Sequence, residues 1–152
     1  MINTHFNTDK YLTLLQEVLK LKISVFLFHA KLNVMSKILV LDDDTSNAEV
    51  IQLVLEDQDF EVRSIHKSAL LDAAIKNFGP DLVVMDILLD NDDGRSLCDS
   101  LKRDVKTMNI PILLITAMLE SQAKAIASQA DALMFKPFDY SKLTNTVREL
   151  IH

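Results

Sequence analysis

At 152 residues, against about 150 per domain, the chain is sized for one compact domain with a short appendage, which excludes a multidomain enzyme. Apolar residues make up 49% and charged residues 25%, a balance that can bury a core, so disorder as the main state is excluded. A net charge of -6 argues against direct nucleic-acid binding, and the single Cys98 excludes an internal disulfide or a cysteine-rich metal site and points to a reducing compartment, the cytoplasm.

Charge is unevenly spread: residues 1–34 carry +2 and the remainder -8. Leu19 to Ala30 is strongly apolar, yet its longest uncharged run, Ile23 to Ala30, falls far short of the roughly 18 to 20 residues of a membrane span. No small-residue cleavage site follows a basic start, so neither an export signal nor a membrane anchor is predicted. Two periods conflict in this stretch. Leu12, Leu15 and Leu19 recur at helical spacing, whereas Leu19, Leu21, Ile23, Val25 and Leu27 alternate as in a strand. The prediction for residues 1–35 is an N-terminal extension, a helix followed by a strand, with a start misplaced upstream of Met35-Ser36 as the alternative. The alternating stretch would offer a pairing edge to a second copy, making a homodimer.

From Lys37 the chain alternates short apolar runs with amphipathic segments five times, the pattern of an α/β doubly wound parallel sheet with helices on both faces. Strands are predicted over Ile38–Leu41, Phe60–Ile65, Leu82–Met85, Ile110–Ile115 and Ala132–Phe135. The first, third and fourth are almost wholly apolar and read as central, and the mixed second reads as an edge. A capping box of Ser46 and Glu49 is expected to open a helix facing Val50, Ile51, Val54 and Leu55 to the core. The next helix carries Leu71, Ala74, Ile75 and Phe78 and is stopped by Gly79-Pro80. Leu97, Cys98, Leu101 and Val105 stripe the third, Ala123, Ile126 and Ala127 the fourth. The fifth, capped by Asp139, presents Leu143, Val147, Leu150 and Ile151. Cys98 reads as a small core residue.

Carboxylates crowd the ends of two strands: Asp42, Asp43 and Asp44 follow the first, and Asp86 follows the third, with Asp90, Asp92 and Asp93 beyond it. Ligands of open parallel sheets bind outside these carboxyl ends. Several carboxylates in one cleft repel unless protonated or met by a cation, and an incomplete set of oxygen ligands suits hydrated Mg²⁺ better than Ca²⁺. Asp42, Asp43 and Asp86 are the predicted cation site, whereas Asp44, Asp90, Asp92 and Asp93 read as solvated caps. Thr116 ends the fourth apolar run and Lys136 the fifth; a lysine at a buried strand end requires a negative partner. Carboxylate, metal, ammonium and hydroxyl together make a phosphoryl-transfer site.

With these residues in order, the sequence resembles the receiver domain of two-component response regulators across residues 36–152. The matching motifs are ILVLDDD at 38–44, VVMDILLDNDDG at 83–94, ILLITA at 112–117 and ADALMFKPF at 130–138. The resemblance implies a flavodoxin-like strand order 2-1-3-4-5 and Asp86 as phosphoryl acceptor. It implies Mg²⁺ bound directly by Asp43 and Asp86, through water by Asp42, and by the main-chain carbonyl of Leu88. Thr116 would hydrogen-bond the phosphoryl group, Lys136 would pair with it, and the Lys136-Pro137 bond would be cis. It further implies a signalling domain rather than an enzyme, charged by a histidine kinase or histidine phosphotransfer protein. With the chain ending at the fifth helix, output through contact with a downstream protein is expected.

Three positions depart from the family's pattern: Leu133 where an aromatic residue is usual, Asp90 where proline is common, and Gln129 where glycine is common. None touches the phosphoryl chemistry. The main alternative is a haloacid-dehalogenase-type phosphohydrolase with Asp42 as nucleophile and Asp44 as its acid, which leaves Asp86 unexplained. Leu88 and Met118, two beyond the acceptor and the threonine, are bulky and apolar, which predicts a slowly hydrolysed phosphorylated state.

Overall fold

A computed structural model describes residues 8–32, 35–125 and 127–151, and these divide into two units at Met35/Ser36. The first unit holds one helix, α1 (Thr8–Leu32). The strand predicted over 19–27 is therefore helical. A solitary strand leaves every N–H and C=O without a ladder, whereas a helix closes them within the segment, so local pairing overrides the alternating pattern.

The second unit runs β1 (Lys37–Leu41), α2 (Thr45–Glu56), β2 (Glu61–Ile65), a 3-10 turn (Ser68–Leu70), α3 (Leu71–Phe78), β3 (Leu82–Asp86), α4 (Gly94–Arg103), β4 (Ile112–Thr116), α5 (Glu120–Lys124), β5 (Ala132–Phe135) and α6 (Tyr140–Ile151). The strands form one all-parallel sheet in the order β2-β1-β3-β4-β5, as the resemblance implied. Every residue of β3 and β4 is buried, and β2 at the edge buries only Ile65 fully. Alternate residues feed two cores. Leu39, Leu41, Val83, Met85, Ile112 and Leu114 pack with α3 and α4, while Ile38, Val40, Val84, Leu113 and Ile115 pack with α2 and α6.

Several local expectations shift. Asp44, not Ser46, caps α2: its carboxylate accepts from Ser46 N at 2.9 Å and Asn47 N at 3.2 Å. The chain leaves extended geometry two residues earlier than a Ser46 cap requires. Ala48, Ile51 and Leu55 form the buried stripe of α2, leaving Val50 a turn-step off it and exposed. β4 starts at Ile112, because Pro111 has no N–H to donate to a ladder. α4 ends at Arg103, so Val105 lies beyond it and is 79% exposed. α5 stops at Lys124; Ala123 is buried, Ala127 is exposed, and Ile126 lies outside the described residues. Gly79 takes φ 62° at the end of α3, a left-handed conformation that explains the stop.

Candidate functional site

The parallel ladders continue one residue past the strands and thereby place the site. Asp42 N donates to Ile65 O at 3.3 Å, Ile87 N to Ile115 O at 2.9 Å and Lys136 N to Thr116 O at 2.7 Å. Asp42 and Asp43 from β1, Asp86 from β3, Thr116 from β4 and Lys136 after β5 thus share one edge of the sheet. The Lys136-Pro137 peptide is cis.

Lys136 joins the first and third strands chemically. Its ammonium hydrogen-bonds Asp86 Oδ2 and lies 3.1 Å from Asp42 Oδ2. Asp42 is 2% exposed and Asp86 is buried as well. Burial pushes the Asp42 carboxyl above its usual range, against the lowering bond from Lys136 and with the Asp86 charge adding to the rise. Burial alone would lower the Lys136 ammonium, but its bonds to Asp86 and Asp42 outweigh that and hold it above the usual lysine value.

Backbone groups take up the other oxygens. Asp44 N donates to Asp42 Oδ1 at 3.0 Å and Leu88 N to Asp86 Oδ1 at 2.9 Å. Asp43 Oδ2 accepts from Asp90 N at 2.7 Å, so it is turned toward the β3–α4 loop rather than toward Lys136. Thr116 is fully buried and its hydroxyl oxygen accepts from Met118 N at 3.1 Å, with its proton left to donate. The structure therefore brings Asp42, Asp86 and Lys136 into direct contact, with Asp43, Thr116 and Leu88 placed beside them through backbone bonds.

Among the described residues no three carboxylate, histidine or cysteine side chains converge as a ready-made metal cluster. The donor chemistry nevertheless fits Mg²⁺: two carboxylates, Asp42 and Asp86, meet one ammonium and a third, Asp43, follows at the same sheet edge, so negative charge remains, and every donor is a hard oxygen. The outlying aspartates cap and brace. Asp44 caps α2, and Asp93 caps α4, accepting from Arg95 N at 2.8 Å and pairing with the Arg95 guanidinium at 2.6 Å. That hydrogen bond holds the Asp93 carboxyl below its usual range. Asp92 accepts from the Ser68 hydroxyl.

Sequence reasoning passed over His66. Its Nδ1 lies 3.0 Å from Asp42 O, and since a carbonyl only accepts, Nδ1 carries the proton. The signal was available: His66 is the residue directly after β2, at the same sheet edge as the others.

A family model described as the response regulator receiver domain matches residues 38–148. The chain belongs to the response regulator receiver family. It is 31% identical over 119 residues to the DNA-binding dual master transcriptional regulator RpaA of Synechocystis sp., covering 77% of this chain and 49% of RpaA. With the DNA-binding response regulator MtrA of Mycolicibacterium paratuberculosis it shares 32% over 114 residues, 74% of this chain and 49% of MtrA. The chain thus spans about half the length of the curated relatives it matches. A crystal structure of a response regulator from Chloroflexus aurantiacus superposes with a TM-score of 0.72 at 30% identity, covering 77% of this receiver chain and 98% of that one. As a family, receiver domains are phosphoacceptor signalling domains of two-component systems. No described helix is long and apolar enough to cross a membrane.

Proposed function

We propose that Asp86 accepts a phosphoryl group from a phosphohistidine of a histidine kinase or histidine phosphotransfer protein, and that output follows by contact with a downstream protein. The contact of Lys136 with both Asp86 and Asp42 carries this reading, because it sets a fixed positive charge against the one carboxylate at the end of the central strand β3. An Asp86 oxygen attacks phosphorus, the P–N bond breaks, and the electron pair leaves on the donor imidazole. Mg²⁺, held by Asp42, Asp43, Asp86 and the main-chain carbonyl of Leu88, would supply neutralisation of the phosphoryl oxygens. Lys136 exchanges part of its bond to Asp86 for one to a phosphoryl oxygen. Thr116 donates its remaining hydroxyl proton to another. These groups sit on adjacent strands, so little reorganisation is needed as charge develops.

The phosphohydrolase alternative gains no support. The Asp44 carboxylate that would serve as its acid is spent capping α2, accepting from Ser46 N and Asn47 N. RpaA and MtrA are DNA-binding regulators; the -6 charge of this chain favours protein contact as its own output.

Incubation with a small acyl phosphate and Mg²⁺, read by intact mass, tests the assignment. A gain of one phosphoryl group is expected, lost on chelation and in Asp86→Asn. Loss in Asp42→Asn/Asp44→Asn with Asp86→Asn still labelled would instead favour the hydrolase.

A further inference from the structure

The first unit leaves an apolar helix surface that the phosphoacceptor reading does not use. Leu14, Val18 and Leu21 on α1 are 61%, 45% and 68% exposed. Large exposed apolar side chains mark an interaction surface rather than a monomer's ordinary surface. Leu12, Leu15, Leu19 and Ile23 on other faces of α1 are exposed as well, and the spacing distinguishes the row through Leu14, Val18 and Leu21. Tyr11, Leu14, Val18, Leu21 and Val25 follow one another at alternating steps of three and four, and the same steps continue in the sequence through Phe28 and Leu32. This is a heptad seam with Tyr11, Val18 and Val25 at a positions and Leu14 and Leu21 at d positions. β-Branched residues at a with leucine at d select two parallel strands over higher oligomers.

Charge identifies the occupant of that seam. In this register Glu17 is a g position and Lys22 is the e position of the following heptad, the two sites that face each other across a parallel pair. A second copy of the same helix therefore sets Glu17 opposite Lys22 twice, once on each side. Within one helix Glu17 also pairs with Lys20 at 2.8 Å, one turn along and exposed, an arrangement compatible with sharing its carboxylate. We infer that α1 is a dimerisation helix that forms a parallel two-stranded coiled coil with a second copy of this chain. The seam replaces the strand-edge pairing expected from the alternating pattern, and it stands independently of the phosphoryl chemistry.

Sedimentation equilibrium of the full chain tests this. The mass of two chains is expected at micromolar concentration, and Val18→Lys/Leu21→Lys should yield monomers with an unchanged thermal transition of the receiver unit. Glu17→Lys alone and Lys22→Glu alone should each weaken the dimer by about 3- to 30-fold, and the double exchange should restore it. Val18→Cys should cross-link to itself on mild oxidation, since a positions face their equivalents in a parallel pair; Cys98 is fully buried and does not compete. A monomer, an assembly of more than two chains, a dimer indifferent to the seam or charge variants, or a monomer that instead co-sediments with phosphatidylglycerol vesicles would each overturn the proposal.

Discussion

Leu88 and Met118, two residues beyond Asp86 and Thr116, are the positions we propose to govern the approach of water to a phosphorylated Asp86, and their surroundings differ. Leu88 is 54% exposed while its N–H holds Asp86 Oδ1; Met118 is half-buried against the core on the α3–α4 side while its N–H holds Thr116. Neither side chain can orient an attacking water, so hydrolysis of the phosphorylated Asp86 is expected to be slow. Leu88→Asn/Met118→Glu should raise the autodephosphorylation rate by about 10- to 100-fold, roughly 1.4 to 2.8 kcal/mol of barrier; equal rates would reject the role. Cys98 lends itself to a separate measurement. Burial, with the nearby Asp99 charge, pushes its thiol up to about 11 from 9.0. The native chain then holds a proton that the unfolded chain releases between these values. The stabilisation is complete below pH 9 and is lost as pH rises through 11, by about 2 to 3 kcal/mol in all. Urea unfolding at pH 8 and pH 10 should show wild type losing about 1 kcal/mol more than Cys98→Ala. At this scale the sequence was largely readable, because each reactive residue directly follows an apolar run. Which oxygen binds which group was not, since Asp43 turns to Asp90 N and His66 to Asp42 O through loop geometry that no spacing encodes.

Elements differ in how tightly their ends are held, and the two glycines measure this. A Cβ on Gly94 would stand 2.1 Å from the Asp86 carbonyl oxygen, so α4 starts in backbone contact with the end of β3. Gly94→Ala must move one or the other, at a cost of about 3 kcal/mol, and because the displaced group is Asp86 itself phosphorylation should slow as well. Gly79→Ala meets open space and bears only its positive φ, so about 1 kcal/mol is lost and phosphorylation is unaffected. Chemical denaturation with acyl-phosphate labelling separates the two. The central strands were legible because continuous apolar runs such as Val83–Met85 have no other place than between two layers of helices. Helix starts were less so: Asp44, Thr45 and Ser46 are all capping residues, and only the backbone decides among them. The strand read over 19–27 failed for a related reason, since alternation identifies a strand only where a neighbour supplies the ladder.

On the scale of the whole molecule, the boundary at Met35/Ser36 separates two kinds of sequence as well as two units. The segment before it is basic and apolar, and the remainder carries -8 and all residues assigned to phosphoryl transfer. Among the described residues, both apolar cores draw on positions between Ile38 and Ile151. Cooperative stability of this size comes from such cores. A chain beginning at Met35 is therefore expected to unfold at the same temperature as the full chain and to accept phosphoryl groups at the same rate. Its mass in solution should nevertheless fall to that of one copy, because the seam on α1 goes with the deleted residues. Thermal unfolding, acyl-phosphate labelling and sedimentation on the same two samples check all three. Lowered stability or slower labelling would show that the first unit contributes to the receiver, and a dimer that persists without it would place the contact on the receiver's own surface.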